Sequence, residues 1–266
     1  MTCSDGPTMP DGGADIILSI DAGIASVVLN RPPVNAFNDV LIGEFHQILD
    51  QIEARDDVSV VHITSALQTF SAGADLELIR ACLRSGEGRD QMIDIIRELQ
   101  RVFARIEMLN AVSIAEIGGP AVGGGLELAL ACDLRVASQQ AKLGLPEAGL
   151  GLLPAGGGTQ RLPRICGEAV ARRLILGAEV IGGDEAHRLG VVHWTLPEGE
   201  MSSWSAELAA RVASMPVEAL ASAKRCIAAA SNPEVDGYEL ELTETRRLHD
   251  LAETQERIES FLDGRA

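Results

Sequence analysis

Up to about residue 162, short runs of aliphatic and β-branched residues alternate with stretches whose apolar positions recur every three to four residues. Beyond that point helical stretches follow one another almost without strands. Asp15–Ile20 and Ile24–Leu29 read as strands joined by the turn residues Asp21-Ala22-Gly23. Arg31-Pro32-Pro33 ends the second, because proline cannot donate to a sheet ladder. Asn38 reads as a helix cap ahead of the stripe Leu41, Phe45, Ile48, Leu49 and Ile52. Val58–Thr64, Ala111–Ile117, Leu134–Ala137 and Lys142–Leu145 continue the strands. Helices are expected over 76–84, from Asp90 onward and over Leu126–Ala131, with Ser85-Gly86-Glu87-Gly88 as a break. This alternation predicts an α/β fold with parallel pairing. Ala169–Leu176, Asp184–Leu189, Trp204–Val212, Val217–Ala230 and Tyr238–Phe261 then read as helices, with Val191–Thr195 as an intervening strand. The expected organisation is a frayed, Gly- and Pro-rich leader over 1–13, a strand-rich core over 14–200 and a helical region over 201–266.

Composition narrows the function classes. A formal net charge of −17, with lysine only at 142 and 224, argues against a nucleic-acid footprint, which needs clustered cations. A small anionic ligand stays open, since a local patch or backbone donors suffice for one. Five dispersed cysteines without a C-x-x-C pair suggest free thiols, neither a disulfide frame nor a zinc site. No stretch has the apolar length of a membrane span and the N-terminus lacks a signal-peptide pattern, so the expected location is cytoplasmic.

Three segments set glycine beside a carboxylate: Phe70–Asp75, Gly123–Glu127, and Pro146-Glu147 leading to Gly156–Gly158. Glycine lets backbone approach a ligand closely, and a glycine-rich strand end that opens a helix aims several N–H groups at one spot. Such a spot suits a phosphate or a developing oxyanion. The chain has neither nucleotide-binding glycine fingerprint and no G-x-S-x-G elbow. Its five histidines form no H-x-x-x-H pair, so no metal site is expected.

The ordered set Asn30-Arg31-Pro32, Asn35-Ala36, Ser71–Asp75, Gly123–Glu127, Cys132-Asp133, Pro146-Glu147 and Gly157–Leu162 resembles the crotonase, or enoyl-CoA hydratase/isomerase, superfamily over roughly residues 15–200. The resemblance implies a spiral of repeated β-β-α units with a helical C-terminal trimerisation region, assembled as a homotrimer or a dimer of trimers. It places an oxyanion hole at the N–H groups of Ala74 and Gly124, and the proton-transfer pair at Glu127 and Glu147. It lays an acyl-CoA substrate along Asn35, Ala36, Phe37, Ala72, Gly73 and Asp75, with no cofactor beyond the coenzyme A of the substrate. Arg31, Lys224 and Arg225 are candidate partners for its phosphates. The implied reaction is hydration of a 2-enoyl-CoA to a 3-hydroxyacyl-CoA. The same resemblance leaves open an isomerase, a carnitinyl-CoA dehydratase, a thioester hydrolase or a non-catalytic relative. Three departures stand out: Glu116 where the family has a small apolar residue, Gly118 for a common Asn, and a short tail after Leu248. A carboxylate at 116 has to be paired or lie at a strand end, since burying it alone is costly.

Overall fold

The computed structural model describes residues 14–264, so the expected leader over 1–13 lies outside the described residues. The chain opens with the expected hairpin, β1 (Ile16–Asp21) antiparallel to β2 (Ile24–Leu29). Helix α1 (Asp39–Glu53) follows, with the Asn38 side chain accepting from Leu41 N at 2.9 Å and the predicted stripe buried. Then come β3 (Val60–Ser65), α2 (Leu76–Cys82), α3 (Gly86–Met108) and β4 (Val112–Ile117). The two-residue β5 (Ala121–Val122) leads into α4 (Gly124–Ala131), β6 (Leu134–Ser138) and β7 (Lys142–Gly144). After a 3-10 turn at Pro146–Leu150 the chain continues through α5 (Gly158–Leu176), β8 (Val180–Gly182), α6 (Gly183–Arg188) and β9 (Trp194–Leu196). It ends in α7 (Glu198–Ala213), α8 (Val217–Ala229), α9 (Gly237–His249) and α10 (Ala252–Leu262).

The strands form two sheets. The larger has the order β1-β2-β3-β4-β6-β9 and is parallel from β2 onward, as the strand–helix alternation predicts. The smaller has the order β5-β7-β8, and a parallel bridge between Ser71 and Ala121 extends it by one segment. The turns opened by β3, β4 and β6 thus each give one strand to the large sheet, one short segment beside or within the small sheet, and then a helix. These are the expected β-β-α turns of a spiral.

One face of the large sheet packs on α1, α3 and α4 through the main apolar cluster, in which the Phe37 ring meets Phe45 at 6.1 Å and Phe103 at 5.7 Å. The other face is covered by α7, where Met201, Leu208 and Val212 pack on Val60, Ile114 and Val136. Burial of each such side chain is worth about 1.5–3 kcal/mol. The division expected at residue 200 therefore falls within a helix that belongs to the sheet's own packing. Helices α9 and α10 bury no residue completely.

Glu116 lies on the α7 face, where Val112 and Ile114 would suit an apolar neighbour, and it is only 6% exposed. The paired state anticipated for it is present: its Oε2 lies 2.9 Å from His62 Nε2, which also contacts Ser205 Oγ at 2.9 Å. Serine and carboxylate meet the same imidazole nitrogen, so this is a buried anchor for α7 and not the relay of a hydrolase triad.

Local expectations differ from the structure at several places, and α7 begins six residues before the expected Trp204. The Ser85–Gly88 run starts a helix instead of breaking one, since the Ser85 hydroxyl accepts from Gly88 N at 2.9 Å. Helix α5 begins eleven residues before Ala169 and turns a corner at Gly167, where φ is 80°. Tyr238–Phe261 divides into α9 and α10 at Asp250-Leu251. The strands β5 and β8, two and three residues long, are not expected from the sequence, and the strand expected over Val191–Thr195 lies at Trp194–Leu196.

Candidate active site

Parallel pairing brings the glycine loops to one edge. Ser71, Ala121 and Leu143 stand side by side in three parallel segments, and each segment runs on into a loop that carries chemistry. Gly123 N donates to Gly144 O at 3.0 Å, so the start of α4 lies against the residues that lead to Glu147. Glycine is required where the loops touch: at Gly73, φ is +86°, and a Cβ there would sit 2.8 Å from Val122 O and 3.0 Å from Gly124 N.

The Ser71–Asp75 loop is pinned from the other side. Phe37 N donates to Gly73 O at 2.7 Å and Asp75 N to Phe37 O at 2.9 Å. In this parallel bridge Phe37 bonds to the neighbours of Ala74, which leaves the Ala74 N–H on the side away from Phe37. Gly124 opens the first turn of α4, where N–H groups have no partner within the helix. Ala74 and Gly124 line one cavity of about 630 Å³.

That cavity also receives both glutamates. Glu127 is one turn into α4 and 2% exposed. Its Oε1 accepts from Gly158 N at 2.7 Å, so the carboxylate is held at the N-terminus of α5 and not merely by the dipole of its own helix. Burial raises its pKa above the ordinary carboxylate value, against the opposing effect of the Gly156–Gly158 amides and Arg161. Glu147 is placed by the 3-10 turn beside Gly123, where a Cβ would lie 3.0 Å from its Oε1. Its Oε2 is buried without a hydrogen-bond partner. Burial, and secondly the charge of Glu127, push its pKa up to about 7. Two carboxylates on one cavity thus have different environments, one held by the amides that open α5 and one with a buried oxygen left without a partner. Such divergence suits one for the ionised and the other for the protonated role.

The remaining walls are apolar: Leu76, Ile79 and Leu83 from α2 and the approach to α3, Met92, Ile93 and Ile96 from α3, and Leu150, Leu152 and Leu153 around the 3-10 turn.

The residues expected along coenzyme A divide into two groups. Phe37 and Ala72 line the cavity. Asn35 is fully buried in the left-handed region with φ 52°, and its amide bonds Ser65 Oγ, Thr69 O and Phe70 O. Its side chain ties the loops together and does not line the cavity. The Ala36 carbonyl accepts from Arg31, Gly73 makes the close approach described above, and Asp75 caps α2. All three candidate phosphate partners are engaged. Arg31 pairs with Asp15 and Asp75, Lys224 with Asp133 at 2.7 Å, and Arg225 with Glu244 at 2.8 Å. Arg31 therefore ties the Asn35–Phe37 loop to the Ser71–Asp75 loop.

Sequence reasoning named the Gly156–Gly158 run as a source of N–H donors and Arg161 within the motif Gly157–Leu162 without giving either its partner, and missed the apolar walls. The signal for the first was present, since three consecutive glycines permit an approach that side chains would block: a Cβ on Gly156 would lie 2.6 Å from Glu127 Oε2.

Known proteins resemble this chain along most of its length. The sequence profile described as enoyl-CoA hydratase/isomerase matches residues 19–266. The chain is similar to a probable enoyl-CoA hydratase of Bacillus subtilis, 36% identical over 255 residues, covering 94% of this chain and 96% of that protein. It is also 36% identical over 224 residues to a short-chain-enoyl-CoA hydratase of Clostridium acetobutylicum, covering 84% of each. Among solved structures, an enoyl-CoA hydratase from Bacillus anthracis superposes with a TM-score of 0.87 at 33% identity, covering 95% of this chain and 97% of that one.

Proposed function

The chain belongs to the enoyl-CoA hydratase/isomerase family, and from that premise we propose that it adds water across the α,β double bond of a 2-enoyl-CoA to give the 3-hydroxyacyl-CoA. The observation that carries this reading is the pair Glu127 and Glu147 on one apolar cavity, the first anchored by Gly158 N–H and the second raised to about 7. Ionised Glu127 takes a proton from water as the oxygen bonds to Cβ. The electron pair of the double bond moves to the thioester, whose oxygen gathers negative charge between the N–H groups of Ala74 and Gly124. Glu147 then gives its proton to Cα, and exchange with solvent restores both carboxyls. Backbone donors preorganised for such an oxyanion are each worth about 10²–10³ in rate. Acid and base catalysis add about 10²–10⁴ each.

The acyl tail lies along the apolar walls from α2, α3 and the 3-10 turn, and Ala72 and Phe37 border the thioester arm. Assembly as a trimer, or a dimer of such trimers, accounts for apolar side chains left exposed on the last helices, among them Leu242, Phe261 and Leu262. Sedimentation as a stable monomer at micromolar concentration contradicts that assembly. The test of the activity is turnover of a panel of 2-enoyl-CoA thioesters from four carbons upward. Hydration is expected, and double-bond migration without hydration would favour the isomerase alternative.

A further inference from the structure

Arg161 places a cation at the end of a helix that normally attracts anions. It sits one turn into α5 with its guanidinium folded back over the helix N-terminus, where the macrodipole disfavours positive charge. The position is compensated. Nη1 donates to Gly156 O at 3.1 Å, and Nε and Nη2 both donate to Glu107 Oε2, at 3.1 and 3.0 Å. Gly157 makes room for it, since a Cβ there would lie 2.3 Å from Nη1. On the opposite side of the same loop stands Glu127, bonded to Gly158 N and in contact range of Gly156. The Gly156–Gly158 loop is thus a single layer of backbone between a buried arginine and a buried carboxylate. Arg161 and Glu107 border a separate cavity of about 280 Å³ behind the loop and do not line the one that holds the two glutamates.

We propose that Arg161, held by Glu107, is a positioning residue for hydration: it clamps the Gly156–Gly158 loop onto Glu127 and keeps that carboxylate ionised and aimed as the base for water. The inference rests on the hydration reading above. The charged groups around Glu127 are Arg161 from α5 and Glu147 from the 3-10 turn, while Glu107 of α3 is turned to Arg161. Without the cation, only the loop amides oppose the effect of burial on Glu127. Its ionisation then requires a higher pH, and the loop loses the contact that fixes its distance from the carboxylate.

The experiment compares wild type, Arg161→Gln, Arg161→Lys and Glu107→Gln. It reads the pH profile of kcat/KM for hydration beside deuterium exchange at Cα of a saturated acyl-CoA, whose proton is handled by Glu147. Arg161→Gln is expected to lower hydration about 10²-fold, the scale of a small misplacement of a catalytic group. It is also expected to move the acid limb to higher pH while exchange persists. Arg161→Lys restores the limb and only part of the rate, because an ammonium cannot hold Glu107 and Gly156 O in one planar fork. Glu107→Gln, at a half-exposed position, keeps an oxygen for the fork but removes the anion beside Arg161, so its acid limb should stay or move to lower pH; a limb at higher pH in this variant overturns the proposal where Arg161→Gln does not fold. An unmoved acid limb in Arg161→Gln overturns the proposal, and so does an equal fall of hydration and exchange, which would mark general damage. A wild-type protein that hydrates no enoyl thioester refutes the hydration reading itself, an outcome separate from either variant result.

Discussion

Raising the pH from 6 to 8 should remove the acid of the glutamate pair. Glu147 is pushed to about 7, first by burial and then by the charge of Glu127. At that value about nine tenths of it carries the proton at pH 6, about half at pH 7 and about one tenth at pH 8. If Glu147 supplies the proton to Cα, kcat/KM for hydration falls about tenfold between pH 6 and 8, because this parameter follows the ionisation of the free enzyme. The Glu127→Gln variant sharpens the prediction. It removes the neighbouring charge but not the burial, which is the larger cause. Exchange needs Glu147 ionised to take the Cα proton, so the acid limb of α-proton exchange should move to lower pH while remaining above the ordinary carboxylate range. The assay is initial-rate hydration of an enoyl-CoA from pH 5 to 9 at constant ionic strength, with exchange measured in parallel for the variant. A wild-type profile flat from pH 6 to 8, or a limb near pH 4.5, would refute the assignment of Glu147 as the acid.

The same perturbed carboxyl has a stability signature. A value raised in the folded state stabilises the fold while the group is protonated, so this contribution is complete below about pH 4.5 and is lost as pH rises through about 7. Thermal melts should show Glu147→Gln gaining on wild type across that window, and a constant difference would contradict this. His62→Ala takes the imidazole from the buried Glu116 carboxylate and leaves it only serine hydroxyls, which should cost about 1–3 kcal/mol in denaturant melts, with kcat/KM of the folded fraction close to wild type. Gly73→Ala forces a Cβ against Val122 O and Gly124 N and should lower hydration about 10²-fold by displacing the Ala74 loop. Along the apolar wall, kcat/KM should rise about fourfold per added methylene until the cavity is full, as about 0.8 kcal/mol per buried methylene implies. Ile93→Asp should flatten that series, and an unchanged slope would place the tail elsewhere.

Strands such as Ile24–Leu29 and Ala111–Ile117 could be read from sequence because β-branched runs bounded by turn residues have few alternatives. The two-residue β5 and three-residue β8 have no such pattern, yet β5 with β7 decides that Gly123 and Glu147 meet. The Ser85-Gly86-Glu87-Gly88 run was ambiguous because serine followed by glycines is both a break and a cap, and the Gly88 N–H bond decides for the cap. Of the site, the two glutamates and the glycine loops were legible as residue types at ordered spacing. What sequence could not give was which carboxylate receives donors. That depends on Gly158, 31 residues from Glu127, and on an arginine folded back against its own helix. Nor could it reveal that Lys224 and Arg225 spend their charge on Asp133 and Glu244, or that the Asn35 amide faces inward, since all of these are long-range pairings.

The central claim, that Glu127 and Glu147 divide the proton work of hydration, is tested most directly by steady-state hydration of crotonyl-CoA by Glu127→Gln, Glu147→Gln and the double variant. Each single variant should lose about 10²–10⁴ in rate, and the double variant should be little worse, because residues that act as one unit are not additive. Near-wild-type hydration by either single variant, with the fold intact, would contradict the account.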